Sequence, residues 1–205
     1  MILTHDTPAT KKHAYDLITV LKLGGTLSES EIDSLLLYFC PAHPKKVKTA
    51  MEWVAKAAAV NDVRKHLLYI HVSNGFATAS DGARIHKARV DLADGYYCPK
   101  TLLPTKCDLR YLPDSTIDSL LDISRFDCES VLLSETATGT QVYDKKITKY
   151  YEVAYGLRFY AGYVQDACNG ENIKLTYANN PTISASNLIV GESQFGKFCI
   201  KGLNL

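Results

Sequence analysis

The densest chemistry in this sequence lies between His43 and His66, where Lys45, Lys46, Lys48, Lys56, Arg64 and Lys65 are balanced only by Glu52 and Asp62. Taken alone, cations on one helical face read as a solvated surface, although lysine and arginine in such a row are also able to neutralise phosphates without reading bases. Other chemistry is hard to find. The histidines (His5, His13, His43, His66, His71, His86) lack metal-ligand spacing, and the cysteines (Cys40, Cys98, Cys107, Cys128, Cys168, Cys199) form no Cys-x-x-Cys pair. There is no phosphate-cradling glycine loop, no Gly-x-Ser-x-Gly elbow and no His-Glu-x-x-His pair. Asp91, Asp94 and Asp108 read as a solvated acidic loop, and His71 and His86 as ordinary residues on a sheet surface. The expectation is a non-enzyme without cofactor or metal.

A helix must carry those cations. Pro44 suits its first turn, and Val47, Met51, Val54 and Ala58 give one apolar stripe over 45–60. Lys45, Lys48, Glu52 and Lys56 fall opposite, with Trp53 on a flank against a neighbour. An antiparallel meander follows. Asn74-Gly75 and Asp81-Gly82 punctuate alternating apolar runs from Leu67 to His86, and both dipeptides favour the positive φ of tight hairpin turns. Arg89 to Tyr97 reads as a further strand, and 98–128 as an acidic, Pro-containing connection with a short helix at Ser115–Asp122. Val131–Ser134, Thr140–Tyr143 and Lys149–Tyr155 are strand-like. Arg158–Asn169 reads as a helix burying Phe159, Tyr163 and Ala167 and capped by Gly170. Strands at Asn172–Ala178, Thr182–Val190 and Gln194–Gly202 complete the order. From Lys45 onward this is one plan used twice: a helix, then a meander. Two helices on one face of antiparallel sheets, an α+β arrangement, bury both apolar stripes.

Residues 1–43 read as a separate helical extension. Thr10 can cap a helix through Ala14, Leu17, Ile18 and Leu21 that ends at Gly24-Gly25, and Ser28-Glu-Ser-Glu31 opens another from Ile32 to Phe39. The second helix carries Glu29, Glu31 and Asp33 but no cation for a phosphate, so the pair reads as a packing arm.

The chain's 205 residues carry 46% hydrophobic and 22% charged side chains and a net charge of +1, so no global field drives nucleic-acid binding. From Asp91 to Glu135 nine acids stand against Lys100, Lys106, Arg110 and Arg125, which implies one basic and one acidic surface. No secretory signal is visible, and the longest apolar run, Leu35 to Cys40, is too short for a bilayer. The expectation is a cytoplasmic protein with reduced thiols and no membrane contact.

Three passages carry a family likeness. Ala79-Ser-Asp-Gly-Ala-Arg-Ile85 resembles the Ala-Thr-Asp-Gly-His-Arg-Leu signature of bacterial DNA polymerase sliding clamps. Leu92-Ala-Asp-Gly-Tyr-Tyr-Cys-Pro-Lys100 is similar to passages in phage-encoded clamp-like proteins. Phe159 to Ala167, Ile173 to Ile183 and Gly196 to Leu205 resemble the end of the last clamp domain. The likeness covers about 44–205 and leaves 98–145 unaccounted for. It implies a clamp-like domain at 44–205 after the extension at 1–43, with the helix lysines on the DNA-facing side. It also implies a partner-peptide pocket at Ser80, Gly82, Ala83, Arg84 and Ile85, with the closing strand as its other wall. Bacterial clamps carry three such domains per chain, and two chains close a ring. This sequence has material for one, or one and a fraction; Ser80 and Ala83 replace Thr and His, and Lys201-Gly-Leu-Asn-Leu205 replaces Met-Pro-Met-Arg-Leu.

The reading is therefore a phage- or plasmid-type replication accessory that binds duplex DNA, a polymerase or another replication protein, and that self-assembles if it closes a ring. The rival is a clamp-fold adaptor or inhibitor without a ring, acting on replication or transcription proteins.

Overall fold

The computed structural model describes residues 16–20, 22–28, 31, 47–124, 126–143, 146–153, 156–178 and 187–203. The chain divides into two units, Met1–Pro44 and Lys45–Leu205. In the first, residues 16–20 and 22 are helical and the helix ends where Gly24 takes φ +80, with Gly25 N–H donating to the Val20 carbonyl. The Glu31 carboxylate accepts from both the backbone N–H and the hydroxyl of Ser28. The Thr10 cap and the Ile32–Phe39 helix lie outside the described residues.

The second unit begins with α1, Ala50–Ala55. It is much shorter than the expected 45–60 helix because the cap sits at Thr49. That side chain accepts from Glu52 N–H, while Glu52 Oε2 accepts the backbone N–H of Thr49, a reciprocal capping box. Such a cap is worth about 1 kcal/mol. Strands β1 (Ile70–Ser73), β2 (Phe76–Ser80) and β3 (Arg84–Arg89) form the expected meander. Asn74 at φ 53 and Gly75 at φ 75 make the first turn, and Gly82 at φ 88 the second. Strand β4 is only Gly95–Tyr97, because Asp91 to Asp94 stay exposed as a loop. Next come β5 (Pro104–Thr105), α2 (Asp114–Leu121) and β6 (Cys128–Leu132). Then β7 (Ala137–Tyr143), β8 (Lys146–Glu152) and β9 (Arg158–Tyr160) form a separate three-stranded sheet. The expected helix from Arg158 therefore starts three residues late. Arg158 to Tyr160 instead pair with Tyr150 to Glu152, and α3 is Ala161–Cys168, closed by left-handed Asn169 rather than at Gly170. Strands β10 (Lys174–Ala178), β11 (Leu188–Ser193) and β12 (Gly196–Lys201) follow.

One nine-stranded antiparallel sheet runs β5-β4-β1-β2-β3-β12-β11-β10-β6. Its middle is the β3–β12 pair, so four strands from each half meet there: β4-β1-β2-β3 on one side, β6-β10-β11-β12 on the other. Helices α1 and α3, one before each meander, lie on the same face. Trp53, Val54, Phe159, Val164, Ile70, Leu175, Phe198 and Ile200, all with no exposed surface or almost none, make one continuous core there. Burying a side chain of this size contributes about 1.5–3 kcal/mol. Trp53 is central rather than on a flank: its indole N–H donates to the Ala167 carbonyl at 2.8 Å, tying α1 to α3. Asn169 adds a two-way clasp, its side chain accepting from Val47 N–H and donating to the Val47 carbonyl.

The opposite face carries something the sequence reading left out. Residues 98–123 fold back across it, and Ile85 packs under Tyr111 and Ile117 in a second small core. The sheet thus has two helices on one face and a third, α2, on the other. Cys98, Cys107 and Cys128 are half-buried and Cys168 and Cys199 buried, all as free thiols, and burial pushes the last two up to about 12. Among the described residues no helix is long and apolar enough to cross a membrane.

Candidate functional site

The signature turn joins three parts of the molecule. Ser80 ends β2 with its hydroxyl turned back to accept Gly82 N–H at 3.0 Å, which holds the turn shut. The Asp81 carboxylate accepts the N–H groups of Ala83 and Arg84 at 2.9 and 3.0 Å and pairs with Arg84 Nε at 3.1 Å. Arg84 is the hub. Its side chain is 10% exposed, pairs with Asp166 of α3 at 2.8 Å, donates to the Lys56 carbonyl after α1, and lies 4.2 Å over the Tyr163 ring. The fork-shaped guanidinium can meet all these partners at once, which lysine's single ammonium cannot.

The five expected pocket residues are therefore brought together, and beside the closing strand, since Lys201 N–H donates to the Ala83 carbonyl at 2.8 Å. They differ in exposure. Gly82 is open, Ala83 half-buried, Ser80 and Arg84 nearly covered, and Ile85 sits beneath Tyr111 and Ile117. Asn204 and Leu205 lie outside the described residues.

The expected DNA-contacting cations are more dispersed. Lys45 and Lys46 lie outside the described residues. Lys48 and Lys65 are exposed. Lys56 pairs with Asp166 at 3.1 Å, so this carboxylate compensates both Lys56 and Arg84. Arg64 pairs with Asp62 at 2.8 Å and reaches across to the Asp81 carbonyl at 3.3 Å, where its guanidinium stands in the space a side chain at Gly82 would take. Its hydrogen bonds hold the Asp62 carboxyl down to about 2. Arg64 thus braces the signature turn while remaining half-open to solvent.

His86 departs from the surface reading. It faces the core, stacked on Trp53 with ring centres 4.2 Å apart, and its Nδ1–H donates to the Trp53 carbonyl at 2.9 Å. Nε2 is buried with no partner among the described residues. His71 lies on the other face, stacked on Tyr111 at 4.9 Å, with burial holding its pKa down. The residues that sequence reasoning missed are Asp166, Tyr163 and Tyr111. Asp166 and Tyr163 share a helix face at i, i+3 spacing, but only the tertiary fold brings Arg84 to them. Tyr111 carried no signal in an acidic, Pro-containing stretch.

No protein-family model matches this chain, and no curated protein matches it in sequence. Solved structures do. The beta subunit from DNA polymerase of Streptococcus pyogenes aligns at TM-score 0.49 and 12% identity, over 76% of this chain and 63% of that one. The DNA polymerase sliding clamp from Bacillus subtilis aligns at 0.48 and 11%, over 76% and 61%. The C. crescentus beta sliding clamp, solved with PEG bound to its putative beta-motif tethering region, aligns at 0.47 and 14%, over 76% and 63%. The chain spans under two thirds of the length of these structures.

Proposed function

We propose that residues 44–205 form a sliding-clamp-like domain and that the protein is a non-enzymatic accessory of DNA replication, of phage or plasmid type, acting in the bacterial cytoplasm. The observation that carries this reading is the doubled half: two helices on one face of a sheet whose halves meet at β3–β12, with an Asp-Gly turn between β2 and β3. That is the half-domain plan of a clamp domain, and the passage Ala79 to Ile85 resembling the clamp signature falls at the corresponding turn. DNA would meet the α1 side through Lys45, Lys46, Lys48 and Lys65, with Lys56 and Arg64 adding charge already shared with Asp166 and Asp62. A polymerase or other replication protein would meet the edge formed by Ser80, Gly82, Ala83, Arg84, Ile85 and the closing strand. A ring requires several copies of the chain.

The rival, a clamp-fold adaptor that forms no ring, is favoured by one observation: Lys56, Arg64 and Arg84 are each satisfied by a carboxylate of the same chain. Light scattering on the eluting protein, with anisotropy of labelled duplex DNA, separates the two. The clamp reading expects a multimer and duplex binding that weakens by roughly one power of salt concentration per phosphate contacted. Lys48→Glu with Lys65→Glu should abolish that binding with little effect on melting. A monomer that ignores duplex DNA at low salt would overturn it.

A further inference from the structure

The sheet face carrying α2 is only partly covered. Beside the helix an open groove of about 650 Å³ runs over β3 and β12, with Phe76, Leu121 and Phe195 among its walls. A second hollow of about 320 Å³ shares Leu121, Glu192 and Lys197 with it and continues across β11 to Lys174 on β10. Together they form one trough alongside α2, at the Gly196 end of β12. The signature turn lies at the other end, beside Lys201.

The floor of this trough has an uncomfortable charge order. Lys87 stands directly opposite Lys197 across the β3–β12 ladder, and Lys197 opposite Glu192 across β12–β11. Lys174 follows on β10, one residue before the Leu175–Gly191 pair. The row spans four strands, or roughly 14 Å at about 4.8 Å per strand. Like charges directly opposite in a ladder destabilise it. Lys87 is relieved by its ion pair with Asp118 and lies 4.9 Å over the Phe76 ring. Lys197, Lys174 and Arg89 are exposed and make no ion pair among the described residues. The Asp122 carboxylate accepts the N–H of Ser124 and keeps its charge. Lys197, Lys174 and Arg89 thus face two acids, Glu192 and Asp122, which leaves a positive surplus beside exposed Phe76 and half-buried Leu121.

We propose that this trough docks a short, extended acidic segment of a partner protein, its carboxylates over Lys197, Lys174 and Arg89 and an apolar side chain against Phe76 and Leu121. An extended chain at about 3.3 Å per residue crosses the row in four or five residues, the span of a linear motif. A peptide can set neutral side chains against Glu192, Asp118 and Asp122. A nucleic-acid strand, charged at every nucleotide, cannot avoid them. The surface is independent of the signature turn, so the inference stands without the clamp reading.

The test is anisotropy of a labelled peptide of about ten residues built from Asp, Glu, Leu and Phe, at low and moderate salt. Its counterpart with Lys for every acid and a single-stranded oligonucleotide of similar length serve as controls. Saturable binding of the acidic peptide alone is expected, weakened about tenfold or more by Lys174→Glu with Lys197→Glu and by added salt. Both side chains are exposed, so the melting temperature should hold; Lys174→Gln with Lys197→Gln repeats the measurement if it does not. No binding of the acidic peptide, equal binding by the variants, or preference for the oligonucleotide would overturn the proposal.

Discussion

Acidification should destabilise this fold through His86 in particular. The imidazole has no exposed surface, donates from Nδ1 to the Trp53 carbonyl, lies with its ring against Trp53 and Phe198, and has no acceptor for Nε2 among the described residues. A second proton would place a charge in an apolar core. Burial chiefly, with the positive charges of Arg84 and Lys56 and against the pull of Asp166 and the Trp53 carbonyl, lowers its pKa from 6.5 to about 3. The unfolded chain titrates near 6.5, so between about pH 3 and 6.5 the unfolded state binds the extra proton and the folded state does not. Stability is therefore full above pH 6.5 and falls as pH drops below it. One unit below, near pH 5.5, the loss is about 1.4 kcal/mol, and near pH 4.5 about 2.7 kcal/mol. The assay is urea unfolding near pH 7.5 and 5.5 for the wild type and for His86→Phe, which keeps a ring against Trp53 but cannot titrate. Carboxylates and the other histidines contribute to both proteins and cancel in the comparison. The wild type should lose about 1.4 kcal/mol more than the variant over that range. Equal losses, or a His86 resonance titrating near 6.5, would refute the reasoning.

Gly82→Val should cost ~1–3 kcal/mol in urea unfolding, because φ is +88 and a side chain would meet the Arg64 guanidinium. A cost below a few tenths would show that the turn relaxes freely. Arg84→Ala should cost about 3–5 kcal/mol by leaving Asp81 and Asp166 short of a partner, and Arg84→Lys should recover little of it, measured by thermal melting. Trp53 is the chain's single tryptophan and has no exposed surface, so its emission should be blue-shifted and resist quenching by iodide until global unfolding. Early quenching at low urea would show that α1 opens on its own.

The meander was legible because turn chemistry is local: Asn74, Gly75 and Gly82 require positive φ, and their neighbours show it wherever the chain folds. The length of α1 was not, because its stripe of Val47, Met51, Val54 and Ala58 continues past both ends. What set its start was the Thr49–Glu52 box, a four-residue signal inside a longer apolar pattern. Arg158 to Tyr160 had helical periodicity with the residues after them, yet pairing with β8 won, as aromatic residues often allow. At the candidate site, sequence brought Ser80 to Ile85 forward as one passage but gave no hint of Asp166, which lies over eighty residues further on and compensates two of the cations. His86 looked like a surface residue because alternation cannot tell which face of a two-sided sheet is dry. Covering by 98–123 leaves both faces of β3 partly buried, so no clean polar stripe survived to reveal it.

The β3–β12 joint also bears on how the molecule assembles. Arg84 pairs with Ile200, over a hundred residues apart, so the central seam is a contact of high sequence separation that carries a large loop-closure cost. Until Gly196 to Lys201 arrive, β3 presents a bare edge whose N–H and C=O groups are a template for any extended chain. The β12 segment of a second copy fits that edge as well as the molecule's own, and the competition between them rises with protein concentration. Refolding at high concentration should therefore divert material into exchanged dimers held by the same backbone pairing, a hazard set by the order in which the two halves are joined.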